Sequence, residues 1–178
     1  MEVSKGTMPS ISNAREGDMS AEELAQCLLD ITSWLSENAG EPGKEYAAKP
    51  PPSPSDLASL ADFLAPTPLP PSLAELLRLH DGGILLFEFT GLSVAEITQA
   101  VTDGRKEDKW AAGIVPVARN PDGELLVMDE EGLRTWTPAD GKGSLDAPSL
   151  SAYLEQYSKR MLGGKLEYME DCGIMEVA

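Results

Sequence analysis

The stretch that most limits what this chain can become is LPPSLAELLRLHDGG, residues 69–83. Prolines are tolerated at the start of a helix, where their missing N–H groups would have had no partner. Leu73, Leu76, Leu77 and Leu79 then recur on one face. Asp81, Gly82 and Gly83 end the helix, because glycine enters the positive-φ region without steric penalty. A helix this short is marginal in water, so its apolar face has to be covered. The segment ILLFEFT that follows, residues 84–90, is aromatic and branched and predicts a strand.

The flanking sequence supplies the other layers. Ser20 and Glu23 have the spacing of a capping box, which opens a helix. Leu24, Cys27, Leu28, Ile31, Trp34 and Leu35 follow as one apolar stripe, and Asn38, Ala39 and Gly40 supply the stop. That stripe must be buried at home or on another molecule, so Leu24, Leu28, Ile31, Trp34 and Leu35 are candidate partner-binding residues. Prolines at 42, 50–52 and 54 predict a stiff extended spacer. A second helix, capped by Ser53 or Ser55, carries Leu57, Leu60, Phe63 and Leu64.

Beyond residue 90, Ser93 opens a helix with Val94, Ile97 and Val101 on one face. Residues 114–119, 125–129 and 133–137 read as three strands of an antiparallel meander. Residues 120–123 and 130–132 are the turns between them. Pro148 or Ser149 opens a closing helix with Leu150, Tyr153, Leu154, Tyr157, Met161 and Leu162. Residues 165–169 are a last strand, and 173–177 an extended tail. The expected fold is α+β: a mostly antiparallel central sheet flanked by helices, with an N-terminal helical arm. Its parts are a flexible tail over 1–18, a helix and proline-rich linker over 19–52, and an α+β domain over 53–178.

Charge decides the classes of partner. Thirty acidic residues against 14 basic ones leave the 178-residue chain at −16. Such a chain repels phosphate backbones and anionic lipid, so nucleic acid and membrane surfaces are excluded as partners, and a protein with a basic surface fits. No apolar run approaches a membrane span, and the N-terminal residues lack the apolar core of a secretory signal. Cys27 and Cys172 lie far apart with no metal-ligand spacing, as two thiols in a reducing cytosol.

The chemistry-bearing residues do not assemble into a catalytic set. His80 is the sole histidine, and its position at a helix C-terminus is explained by the dipole there. Asp122, Asp129, Glu130 and Glu131 have turn spacing, not that of a calcium loop. Neither GxxxxGK[ST] nor GxGxxG occurs, so a phosphate cradle is missing. The expectation is a non-enzyme with no cofactor and no metal.

Taken in order, these segments resemble the SUKH superfamily of cell-wall-assembly regulators and toxin-immunity proteins. The resemblance spans about residues 53–177. Leu69 and Pro70 begin the helix before the turn, and Leu76 and Leu77 fill its apolar face. Asp81, Gly82 and Gly83 stand where the family has Asn-Gly-Gly. Pro116 lies in the run IVPVA, Asp122 and Gly123 in the hairpin, Asp129 at a strand end and Trp136 on the next strand. Leu150, Tyr153 and Leu154 match the closing helix. Asp81 in place of asparagine and the added residues 1–52 depart from the pattern. The resemblance implies an α+β domain whose motif residues are structural and whose function lies in protein binding. It points to a non-catalytic adaptor or structural subunit of a cytoplasmic assembly, cytoskeletal or ciliary in the case the arm favours. The alternative is an immunity protein that neutralises a basic toxin.

Overall fold

The computed structural model describes residues 19–177; the flexible tail expected over 1–18 lies outside them. The helices of the described residues are α1 (Ala21–Asn38), α2 (Gly40–Ala48), α3 (Pro54–Leu64), α4 (Pro71–Leu79), α5 (Val94–Gly104) and α6 (Leu150–Leu162). The strands are β1 (Leu85–Leu86), β2 (Phe89–Gly91), β3 (Val115–Arg119), β4 (Leu125–Asp129), β5 (Gly132–Thr137), β6 (Gly141–Ala147), β7 (Leu166–Met169) and β8 (Gly173–Glu176). Strands β1 to β6 form one antiparallel sheet in chain order, and β7 pairs with β8 in a second. The fold is α+β.

Local chemistry starts these helices. The Ser20 hydroxyl accepts from the Glu23 N–H at 3.1 Å, and the Glu23 carboxylate accepts from the Ser20 N–H at 2.9 Å. Ser93 and Glu96 repeat the arrangement at the start of α5. Ser53 and Ser149 cap α3 and α6. Each cap satisfies amide donors that have no partner within the helix.

Register then sorts the sheet. Leu125 pairs with Trp136, and Leu126 with Thr135. Successive residues point to opposite faces, so Leu125 and Trp136 meet α5, while Leu126 and Thr135 meet Tyr153 of α6. Both faces are covered, and that is why β4 is a continuous apolar run and not an alternating one.

Four expectations need correction. Residues 84–90 form two short strands folded back on each other, with Leu86 opposite Phe89. The proline-rich spacer contains α2, which Gly40 admits at φ +61° and which buries Tyr46. Residues 141–147 are an edge strand, β6, whose exposed polar side chains gave no apolar signal. Residues 173–177 include β8, paired with β7.

A fifth correction concerns the arm itself. Leu24, Leu28, Ile31 and Leu35 are buried, and Trp34 is half-buried against the same core. Helix α1 packs on α2, α4 and α6, and the Cys27 thiol donates to the Leu154 carbonyl at 3.4 Å. One apolar cluster runs from Met19 to Ile174, so 19–52 is part of the domain and the candidate partner-binding stripe is core. The reason is area: covering that stripe removes the side chains of a whole helix face from water, at about 25 cal/mol per Å².

Ile31→Ala is expected to destabilise the protein by about 3 kcal/mol, because Ile31 is 0% exposed and leaves a cavity. Leu29→Ala, on the opposite face at 52% exposure, is expected to stay within about 0.5 kcal/mol. Urea unfolding monitored by circular dichroism distinguishes the two; equal small effects would show that the stripe is not packed at home.

Candidate functional site

The site begins with one phenol. Tyr157, on the buried face of α6, donates its hydroxyl hydrogen to the Leu85 carbonyl at 2.7 Å and accepts from the Phe87 N–H at 3.2 Å. Burial pushes this phenol above its ordinary range, so it is the neutral donor this geometry needs. It holds the turn between β1 and β2, where Phe87 sits at φ +58°, an unfavourable conformation for a bulky residue. The Phe87 carbonyl also accepts from the Ile174 N–H of β8 at 3.0 Å. Gly173 is needed beside it, since a Cβ there would strike that same carbonyl.

These ties shape a cavity of about 500 Å³ on the α6 side of the sheet. Phe87 and Phe89 form one wall, Leu126 and Thr135 the floor, Tyr153 the helix side, and Ile174, Met175 and Glu176 the β8 side. Glu88 and Asp146 complete the lining. The volume lies in the usual range for ligand pockets, about 300–1,000 Å³, and the composition is apolar with a few polar groups. Burial pushes the Asp146 carboxyl up, partly offset by the Arg134 guanidinium and the Thr135 hydroxyl. Glu176 is tied to Arg160 of α6.

Asp129 organises the neighbouring corner. Its carboxylate accepts from the Glu131 and Gly132 N–H groups at 2.9 and 3.1 Å, and pairs with Arg134 at 3.0 Å and Lys142 at 3.2 Å. Burial alone would raise its pKa; these four donors outweigh burial and hold the carboxyl below the ordinary range. Arg134 reaches on to the Glu131 carboxylate and the Gly143 carbonyl, which couples β5 to β6.

The other motif residues are distributed as supports. The Asp81 carboxylate accepts from the Val94 N–H at 2.8 Å, capping α5 together with Ser93. Gly82, at φ +83°, packs so closely on α5 that a Cβ would lie 2.5 Å from the Ser93 nitrogen. Pro116 is buried in β3 beside a register shift. Asp122 and Gly123 lie in the exposed hairpin, which is ordered by Asn120, a residue not singled out from sequence: its side-chain oxygen accepts from the Asp122 and Glu124 N–H groups. Trp136 donates its indole N–H to the Lys109 carbonyl at 3.2 Å and meets Trp110 edge-on at 4.9 Å. His80 closes the end of α4: its Nδ1 lies 2.7 Å from the Lys49 carbonyl oxygen and its ring packs on Tyr46.

Of the motif residues named from the sequence, Tyr153 alone lines the cavity. The cavity residues were in the sequence as core aromatics and loop acids, and only Tyr153 had been singled out, as a core position. Cys27 and Cys172 are free thiols, and burial pushes the Cys27 thiol up to about 11, offset in part by Ser158. Among the described residues no group of three or more His, Cys, Asp or Glu side chains could hold a metal ion. No helix among them is long and apolar enough to cross a membrane. No family model matches this chain, and no curated protein matches it.

Two outcomes follow from the geometry. Tyr157→Phe leaves two buried backbone groups without a partner and is expected to destabilise by about 2 kcal/mol in urea unfolding. Asp129 has a folded pKa below its unfolded value of about 3.9, so the unfolded chain binds more protons between the two. Its contribution is full above about pH 5 and is lost as pH falls through the folded value. Asp129→Asn is therefore expected to lower stability at pH 6 and to flatten the acid limb between about pH 5 and 3; a parallel limb in the variant would refute the assignment.

Proposed function

We propose that this protein is a non-catalytic, SUKH-type interaction module, an adaptor or structural subunit whose partner presents a basic surface. The observation that carries the reading is charge placed on shape: a chain of net charge −16 with a preformed apolar cavity edged by Glu88 and Asp146. A large negative field accelerates encounter with a basic protein, and an apolar pocket holds what the field delivers. The polar groups that sequence reasoning could have enlisted for catalysis are engaged elsewhere. His80 joins α4 to the segment after α2, and Asp129 anchors a sheet corner. The order of the elements, helix, turn, hairpin, helix, meander and closing helix, supports the family resemblance of residues 53–177.

The home packing of α1 bears on the choice between two kinds of binding protein. A helical arm on a proline spacer had favoured an adaptor that docks a helix in a partner's groove. With that stripe buried, the compact domain itself is the binding unit. A second reading, an immunity protein that captures a basic toxin, gains from this, because such a protein needs a compact acidic surface and no arm. Cytoplasmic residence, in a cytoskeletal or ciliary assembly, belongs to the first reading.

Native purification with lysine cross-linking and mass spectrometry tests the proposal. The expected outcome is a stoichiometric protein partner cross-linked to Lys142 on β6 or to Lys165 in the turn between α6 and β7. Capture of a single basic secreted toxin would establish the second reading. A protein that remains alone in its native extract and against basic toxins would overturn both.

A further inference from the structure

We infer that the cavity between the β1–β2 turn, α6 and β8 is the seat for a lysine or arginine side chain of the basic partner, with the cationic head at Asp146, Glu88 and the Tyr153 hydroxyl. The inference deepens the proposed function and rests on it.

Three observations meet at this place. First, Glu88 and Asp146 line the cavity without an ion-pair partner among the described residues. Asp146 feels the Arg134 guanidinium, but that group is already held by Asp129 and Glu131. Glu88 accepts from Asn120 Nδ2 at 3.3 Å and Asp146 from the Thr135 hydroxyl, neutral donors that leave both charges unbalanced at the cavity. Second, Tyr153 is 4% exposed and lines the same cavity, yet its hydroxyl makes no hydrogen bond among the described residues. Its neighbour Tyr157 makes two. The Tyr153 hydroxyl is reached from the cavity and is open to a group bound there. Tyr153, Asp146 and Glu88 line the same cavity, which puts all three polar groups at the disposal of one bound head.

Third, the remaining walls are apolar. Phe87, Phe89, Leu126 and Ile174 are buried around a space of about 500 Å³. A bare inorganic cation would leave that surface unfilled. Lysine and arginine carry an apolar stem under a charged head, and the stem lies along such walls while the head reaches the acids. The phenyl rings of Phe87 and Phe89 add faces for a cation. A protein supplies this side chain in preference to a free amine, because the whole chain's charge attracts a basic surface and not one group alone.

The test is an amide-resolved NMR titration of the full chain with three probes: N-acetyl-lysine methylamide, its arginine counterpart, and the uncharged norleucine counterpart. An oligolysine peptide is titrated in parallel. The cationic probes are expected to shift amides of residues 87–89, 146 and 174–176, and the norleucine probe is not. Asp146→Asn, Glu88→Gln and Tyr153→Phe are each expected to weaken the cationic probes about tenfold. Asp62→Asn, which makes the same charge change on exposed α3, is expected to leave them unchanged. Chemical shifts away from the cavity report that each variant is folded. If oligolysine binds while the cavity amides stay still, or if Asp62→Asn weakens binding equally, the seat is wrong and the basic-partner reading stands. Equal binding of norleucine would overturn the cationic assignment. If neither the cationic probes nor oligolysine bind, both the seat and the reading fall.

Discussion

The Tyr157 hydroxyl carries the constraint on which the rest of the molecule depends. A buried backbone turn must have its N–H and C=O groups satisfied, because water cannot reach them. One phenol on α6 answers for two of them, Leu85 and Phe87, on a turn some seventy residues earlier in the chain. The bond fixes α6 against the first edge of the sheet. It also fixes Phe87 in a backbone conformation that a bulky side chain would not adopt alone. With the turn held there, Ile174 can reach its carbonyl, β8 can dock, and the cavity acquires its last wall.

Sheet register distributes the consequences. The meander sends alternate side chains to α5 and to α6, and the two faces acquire different characters. On the α5 side, Trp136 and Trp110 stack edge to face, with Gly104 leaving the room they need. The space left on that face, beside Leu125 and Trp136, is only about 130 Å³. On the α6 side, Leu126 and Thr135 floor a space that Tyr153 does not fill. Close packing is the rule in protein interiors, so an open apolar volume walled by fixed elements is the departure that marks a site. The Asp129 corner stiffens the far end of this face: a carboxylate with four donors holds β4, β5 and β6 together through Arg134 and Lys142.

The burial of α1 changes where function can lie. An apolar stripe at helical spacing has the same sequence whether it covers its own domain or a neighbour's groove. Leu28, Ile31 and Leu35 needed the partner surfaces of α4 and α6, distant in sequence, before their destination was settled. Once they are core, the binding chemistry passes to groups that local pattern had ranked as ordinary. Glu88 read as one acid in a strand, and Asp146 had no role at all. Their meaning comes from facing the same space.

Local chemistry was legible wherever a residue acts on its immediate neighbours. Ser20 with Glu23 opens α1 at short range, and Gly82 ends the segment after α4 because a positive φ and a close approach to Ser93 leave no room for a side chain. The meander turns and the α+β class followed from the same short-range rules. Strand β6 was not legible, since its residues GKGSLDA carry no apolar alternation and are held by backbone pairing to β5 and by Arg134. Nor was the break at Phe87, which a phenol on α6 imposes across the chain. Sequence alone therefore determined most of the helices and the meander, their caps and the sign of the protein's field, all properties of neighbouring residues or of simple sums. Tertiary structure decided which apolar face stays at home and which acids share a cavity, because both depend on contacts between residues that the chain order keeps far apart.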